Sequence, residues 1–154
     1  MSPNEFLPLY YGALAINDRA EFIRVNSETI SRALAGGERF KLVLRPPSSI
    51  NVTELQVVAW HDPREVDIIR QSVRAISRSD QSWRISFRKK GSPKTMEKTI
   101  EINSLAPVQV FYLLKIGLDI FGLIEEGWAV NETTLNKTKG SLTPWKIKDV
   151  IGPI

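Results

Sequence analysis

The spacing of apolar positions changes several times along the chain, and each change marks an element. The longest apolar stretch is 104–126, SLAPVQVFYLLKIGLDIFGLIEE. Among its few polar residues, Gln109, Tyr112, Lys115, Asp119 and Glu126 are regularly spaced. Their steps of three, three, four and seven put them on one narrow stripe of a helix. Asn103 or Ser104 can cap the start, Pro107 suits a first turn, and Gly127 can end the helix in the left-handed conformation. A single long helix over 104–126, mostly apolar around its circumference, is the predicted centre of the fold. It needs cover on more than one side.

Upstream, Phe6, Tyr10, Ala13 and Leu14 recur at helical spacing and predict a helix over 4–17, with Pro8 shortening or kinking its first turn. Residues 21–25 read as extended. Asn26 then caps a predicted helix over 27–35, which Gly36 and Gly37 close. Alternation predicts a strand over 39–45, with Phe40, Leu42 and Leu44 on one face and Arg39, Lys41, Val43 and Arg45 on the other. A second alternating run, 52–60, reads as another strand.

Asp62, Pro63 and Glu65 supply an N-cap, a helix-first proline and a capping-box acid. They predict a helix over 63–77 that buries Val66, Ile69, Val73 and Ile76. Arg70, Arg74 and Arg78 then form an i, i+4, i+8 row on another face. Trp83–Arg88 and Thr95–Ile102 read as strands around a turn at 89–94, with Trp83, Ile85 and Phe87 inward. Glu101 is expected across from Arg84 or Arg88.

The order of elements predicts an α+β fold: a mainly antiparallel sheet of about four to five strands packed on the long C-terminal helix. At 154 residues the length fits one domain. The composition shift after Gly127 divides the chain into an α+β domain over 1–127 and, over 128–154, a polar linker with a docking tail around Trp145.

Candidate chemistry narrows the picture by exclusion. The chain has no cysteine, which removes disulfides, thiolate metal ligands and a cysteine nucleophile. His61 is its one histidine; an enzyme built on it with a neighbouring carboxylate is the last-ranked reading. A phosphate-binding loop, a dinucleotide fingerprint and a serine elbow are missing. No catalytic residue, metal ligand or cofactor is assigned. Lys115 and Asp119 stand mid-span in 104–126, where a charge costs about 2.5–3.5 kcal/mol in a bilayer, so no membrane span is expected. Without cysteines or a basic leader, the expected location is cytoplasmic.

Charge supplies the one positive functional signal. Between Arg70 and Lys98 stand nine basic residues against two acidic ones, a net of +7 in a chain whose total is +4. Segregation of this kind points to an anionic partner. The candidate contacts are Arg70, Arg74, Arg78, Arg84, Arg88, Lys89, Lys90 and Lys94, and nucleic acid is the leading polyanion. Trp83 and Phe87 share a face with Ile85, so they read as core rather than as platforms for bases. The competing reading is a protein-interaction or homo-oligomeric assembly module, such as a homodimer, that uses the 104–126 helix or the C-terminal tail around Trp145.

Overall fold

The computed structural model describes residues 3–36, 39–60, 66–77 and 80–138. The chain divides into two compact units, Met1–Pro46 with Leu113–Ile154, and Pro47–Tyr112. The class is α+β, with one sheet of four strands and one of three. Among the described residues no helix is long and apolar enough to cross a membrane.

The first unit opens with a 3-10 helix, Pro3–Tyr10. Strand β1 (Leu14–Asn17) follows and pairs antiparallel with β2 (Phe22–Arg24). The helix expected over 4–17 is therefore half right: its second part is a strand. Gly12, at a φ of 87°, turns the chain between the two elements. Helix α1 (Ser27–Leu34) has the expected cap, Asn26 Oδ1 accepting from the Thr29 amide at 2.9 Å.

Strand β3 (Phe40–Leu44) is the second inner strand of the order β2-β1-β3-β7, antiparallel to β1 and parallel to β7 (Ala129–Asn131). The alternation in its sequence predicts one solvent face, yet all five residues are buried, Lys41 among them at 8% exposure. Val43 packs in a cluster with Ile16, Val130 and Leu135. Tyr10 is buried on the same unit and donates its hydroxyl to the Leu118 carbonyl at 2.8 Å.

The long helix expected over 104–126 is not present. A 3-10 turn at Ile102–Ser104 precedes α3, which spans only Pro107–Lys115. Pro107 does stand at the first helical position, but the Ala106 amide is held by Gln109 Oε1 at 2.7 Å rather than by Asn103 or Ser104. Two backbone bonds stop the helix: Leu118 N to Leu113 O at 3.0 Å, and Gly117 N to Leu114 O at 3.1 Å. Together they form a Schellman cap around Gly117, whose φ is 76°. Leu118 then bridges to Arg45 beyond the end of β3. Asp119 is buried and accepts from the Leu123 and Ile124 amides, both at 2.9 Å. The same pair of bonds recurs at Trp128 and Gly127, so Gly127 ends a tight turn, not a long helix. Phe6, Phe121 and Trp128 pack around this turn, with Phe6 at 5.3 and 6.0 Å from the other two ring centres.

Polar composition after Gly127 predicts a loop. Instead β7 joins the sheet, and helix α4 (Glu132–Thr138) follows it. Ala129, Val130 and Leu135 supply enough buried apolar surface to order this polar segment. The Trp145 tail lies outside the described residues.

The second unit begins with a 3-10 turn, Pro47–Ser49, and helix α2 (Val52–Trp60). The expected strand over 52–60 is thus a helix. A reciprocal capping box accounts for it: the Glu54 amide donates to Asn51 Oδ1 at 2.8 Å, and the Asn51 amide donates to Glu54 Oε1 at 3.0 Å. Leu55 and Val58, one turn apart, are its buried residues.

The expected helix over 63–77 is overturned in the other direction. Residues 66–77 form β4 (Val66–Ser77), while His61 and the Asp62–Glu65 capping signal lie outside the described residues. Strand β4 pairs with β5 (Asp80–Lys89), which pairs with β6 (Met96–Glu101), all antiparallel.

Candidate nucleic-acid interface

The three-stranded sheet has two unlike faces. Trp83, Ile85 and Phe87 of β5 point inward, with Ile100 of β6 beside Trp83, and all four are buried. The Trp83 indole N–H donates to the Pro47 carbonyl at 3.0 Å. The Trp60 ring meets Phe87 edge-on at 4.8 Å. Side-chain donors fasten α2 to this face. Gln56 Nε2 reaches the Val66 carbonyl, and the last turn of α2 gives its Val58 and Ala59 carbonyls to Gln109 Nε2 and Lys98 Nζ. Lys98 also sits over the Trp60 ring, 5.1 Å from its centre. Its ammonium thus serves the helix C-terminus and an aromatic face, and it is withdrawn from the open side of the sheet.

The other face is polar along all three strands. On β5, Arg84 and Arg88 are exposed; Ser86 between them is half-buried, and Ser82 beside Arg84 is buried. Register places Arg70 opposite Ser86, so Arg70 is diagonal to both Arg84 and Arg88, at about 7–8 Å between backbone positions. Arg70 is exposed as well. Arg74 occupies the position opposite Ser82, in step with Arg70, and Arg78 lies outside the described residues. Among the described residues no ion pair engages Arg70, Arg84 or Arg88.

A register shift between Ile68 and Arg70 makes this arrangement. The shift inserts one extra residue, Ile69, which is half exposed. Before it, Val66 and Ile68 share the inner face; after it, Gln71 and Val73 do. Without that shift, Arg70 would share the inner face with Val66 and Ile68.

At the end of β5 the chain turns through residues 90–95. Lys89, Lys90 and Lys94 are all exposed there, and Gly91 takes the left-handed conformation the turn requires, at a φ of 81°. The Ser92 amide donates to the Lys89 carbonyl at 3.0 Å. The Arg88 guanidinium Nε donates across the turn to Thr95 Oγ1 at 3.4 Å.

Acidic residues border the basic ones. Asp67 stands opposite Arg88. Glu97 and Glu101 of β6 are exposed on the same face, opposite Ser86 and Ser82, with Thr99 opposite Arg84. Glu101 is therefore diagonal to Arg84, not directly across from it as expected. The outer face is a basic band on β4 and β5, interrupted by Asp67 of β4 and bordered by an acidic margin on β6. Outward alternation in 96–101 already places these glutamates on the basic side, but only register shows how near they come.

A groove of about 350 Å³ runs beside β6 and is lined by Ala59, Lys98–Glu101, Ser104, Leu105 and Gln109. Its Lys98 and Gln109 are already bonded to α2, and Ser104 donates to Glu101 at 3.4 Å. The chain matches no protein-family model, no curated protein and no solved structure.

Proposed function

We propose that the chain is a non-catalytic binding protein that engages a polyanion, foremost nucleic acid, on the outer face of the β4-β5-β6 sheet. The observation that carries this reading is the register. It puts Arg70, Arg84 and Arg88 on one exposed face. Lys90 and Lys94 are exposed in the adjoining turn, and Lys89, opposite Val66, is exposed at the end of β5 on the other side of the sheet. Neutralising phosphates with such an array releases counterions, and that release supplies most of the affinity of a contact made without base readout. The test is anisotropy of a labelled oligonucleotide at about 50 mM salt, where phosphate contacts are strong. Binding is expected, and combined Arg88→Ala, Lys89→Ala and Lys90→Ala substitutions weaken it at least about tenfold. Equal affinity in wild type and variant refutes the reading.

A second reading is self-association through α3. Val108 and Phe111, one turn apart on that helix, are 60% and 73% exposed. Light scattering of wild type against Phe111→Ser decides it: a dimer that the substitution turns into a monomer supports association, and a wild-type monomer excludes it.

A further inference from the structure

We propose that the polyanion is a nucleic-acid duplex, held by its phosphates alone and without regard to sequence. The inference rests on the reading above and follows from what the basic face lacks. Proteins that hold single strands gain about 1–3 kcal/mol per base by stacking bases on exposed aromatic rings. Here the aromatic residues of the sheet, Trp83 and Phe87, are 1% and 5% exposed and belong to the inner face. The side chains in register on the outer face include arginine, serine, threonine, aspartate and glutamate, with Ile69 of the bulge half exposed beside Arg70.

With stacking gone, the electrostatic contribution decides. It favours the partner with the denser charge: a duplex carries one charge per about 1.7 Å of axis, and each phosphate contact weighs more in the salt dependence of a duplex than of a single strand. Order acts in the same direction. Arg70, Arg84 and Arg88 stand on a regular ladder, and a duplex presents phosphates already fixed in space. A single strand has to be immobilised to match them, and that ordering subtracts from affinity. The glutamates of β6 limit the footprint. Phosphates that approach Glu97 or Glu101 are repelled, so the duplex is confined to the β4-β5 ribbon and its lysine turn.

The experiment is displacement of a labelled duplex of about 20 base pairs at about 50 mM salt. The competitors are its own single strands, duplexes of unrelated sequence, duplex RNA and heparin. Duplexes are expected to compete within about twofold of one another, and single strands at least about tenfold more weakly. Glu97→Gln with Glu101→Gln is expected to tighten duplex binding by about twofold per charge removed. Single strands that compete as well as the duplex, or affinity that varies more than about tenfold with base sequence, overturn the duplex inference and leave the polyanion reading standing. Binding of heparin without nucleic acid overturns the duplex inference and the choice of nucleic acid. Binding to none of these overturns the polyanion reading as well.

Discussion

Strands β3 and β5 read much alike in sequence, and the fold uses them in opposite ways. Each alternates apolar residues with residues that include a cation: Phe40, Lys41, Leu42 in β3 and Trp83, Arg84, Ile85 in β5. In β3 both faces are covered, Lys41 is buried, and desolvation lowers its pKa. In β5 one face is covered, and Arg84 and Arg88 stand in solvent. A charged position on a strand is available to a partner only where the sheet keeps an open side. That is a property of the layers around the strand, not of the strand itself.

The comparison breaks first at Trp83. Its indole is buried on the inner face and hydrogen-bonded to Pro47. Trp83→Ala is expected to destabilise the fold by about 3–5 kcal/mol, read as the shift of a urea-unfolding midpoint. A loss below about 1 kcal/mol would mean that β5 has no firmly buried side.

Asp119 is next in size. It lies where β3 leaves its sheet: the Asp119 amide donates to the Arg45 carbonyl, and its carboxylate holds the turn at Leu123 and Ile124. Asp119→Ala leaves those amides without partners and should cost about 1–3 kcal/mol. Burial raises the Asp119 carboxyl above the ordinary carboxylate range, against the lowering effect of backbone N–H groups at Ile124, Leu123, Phe121 and Gly122. The folded state therefore keeps this proton to a higher pH than the unfolded chain does. Stability from this group is fully present below the unfolded value, near 4, and falls as pH rises through the raised one. Asp119→Asn is expected to flatten that decline in a series of unfolding midpoints; an unchanged slope would assign it to other groups. The same burial, with the Asp119 carboxylate adding to it, pushes the Tyr10 hydroxyl up.

Lys41 sharpens the contrast from the covered side. Its lowered pKa means that stability from this group is complete above the unfolded value of 10.5 and is lost as pH falls through the folded one. Urea midpoints measured toward pH 10 should therefore rise through this window in wild type, and less in Lys41→Met. Parallel curves would show that Lys41 is not desolvated. The smallest effect is expected on the open side. Arg84→Ala and Arg88→Ala should each move stability by no more than about 0.5 kcal/mol. A larger change in either midpoint would mean that these arginines serve the fold.

Local signals were legible where a short stretch decides the outcome. Asn26 capping α1, the β5–β6 hairpin around Gly91 and the inward set Trp83, Ile85 and Phe87 depend on neighbours within a few residues. Pattern and structure part company where a distant partner decides, and once where a local cap competes with an alternating run. The segment Val66–Ser77 carries a helical stripe in its sequence, and only pairing with β5, through the shift at Ile69, reveals it as a strand. Residues 52–60 alternate, yet the Asn51–Glu54 capping box in the sequence was the better guide. In 104–126 the apolar count hid a stop signal. Gly117 ends α3 with a Schellman cap, and Leu118 then bridges to Arg45, far away in sequence.

The basic residues of the site were legible as a charge segment, although the helix row assigned to Arg70 and Arg74 became a strand ladder. Their convergence with Arg84 and Arg88 depends on strand register, which periodicity alone does not reveal. Lys98 belongs to the same charge segment and is spent inward on Ala59 and Trp60.

The most direct test of the open basic face is the salt dependence of duplex binding, compared between wild type and Arg70→Ala, Arg84→Ala, Arg88→Ala combined. A log–log plot of affinity against salt should be linear, with a slope about three units shallower in the variant, one for each phosphate contact removed. Its unfolding midpoint should stay near that of wild type. An unchanged slope, or no binding by wild type at about 50 mM salt, would contradict the account.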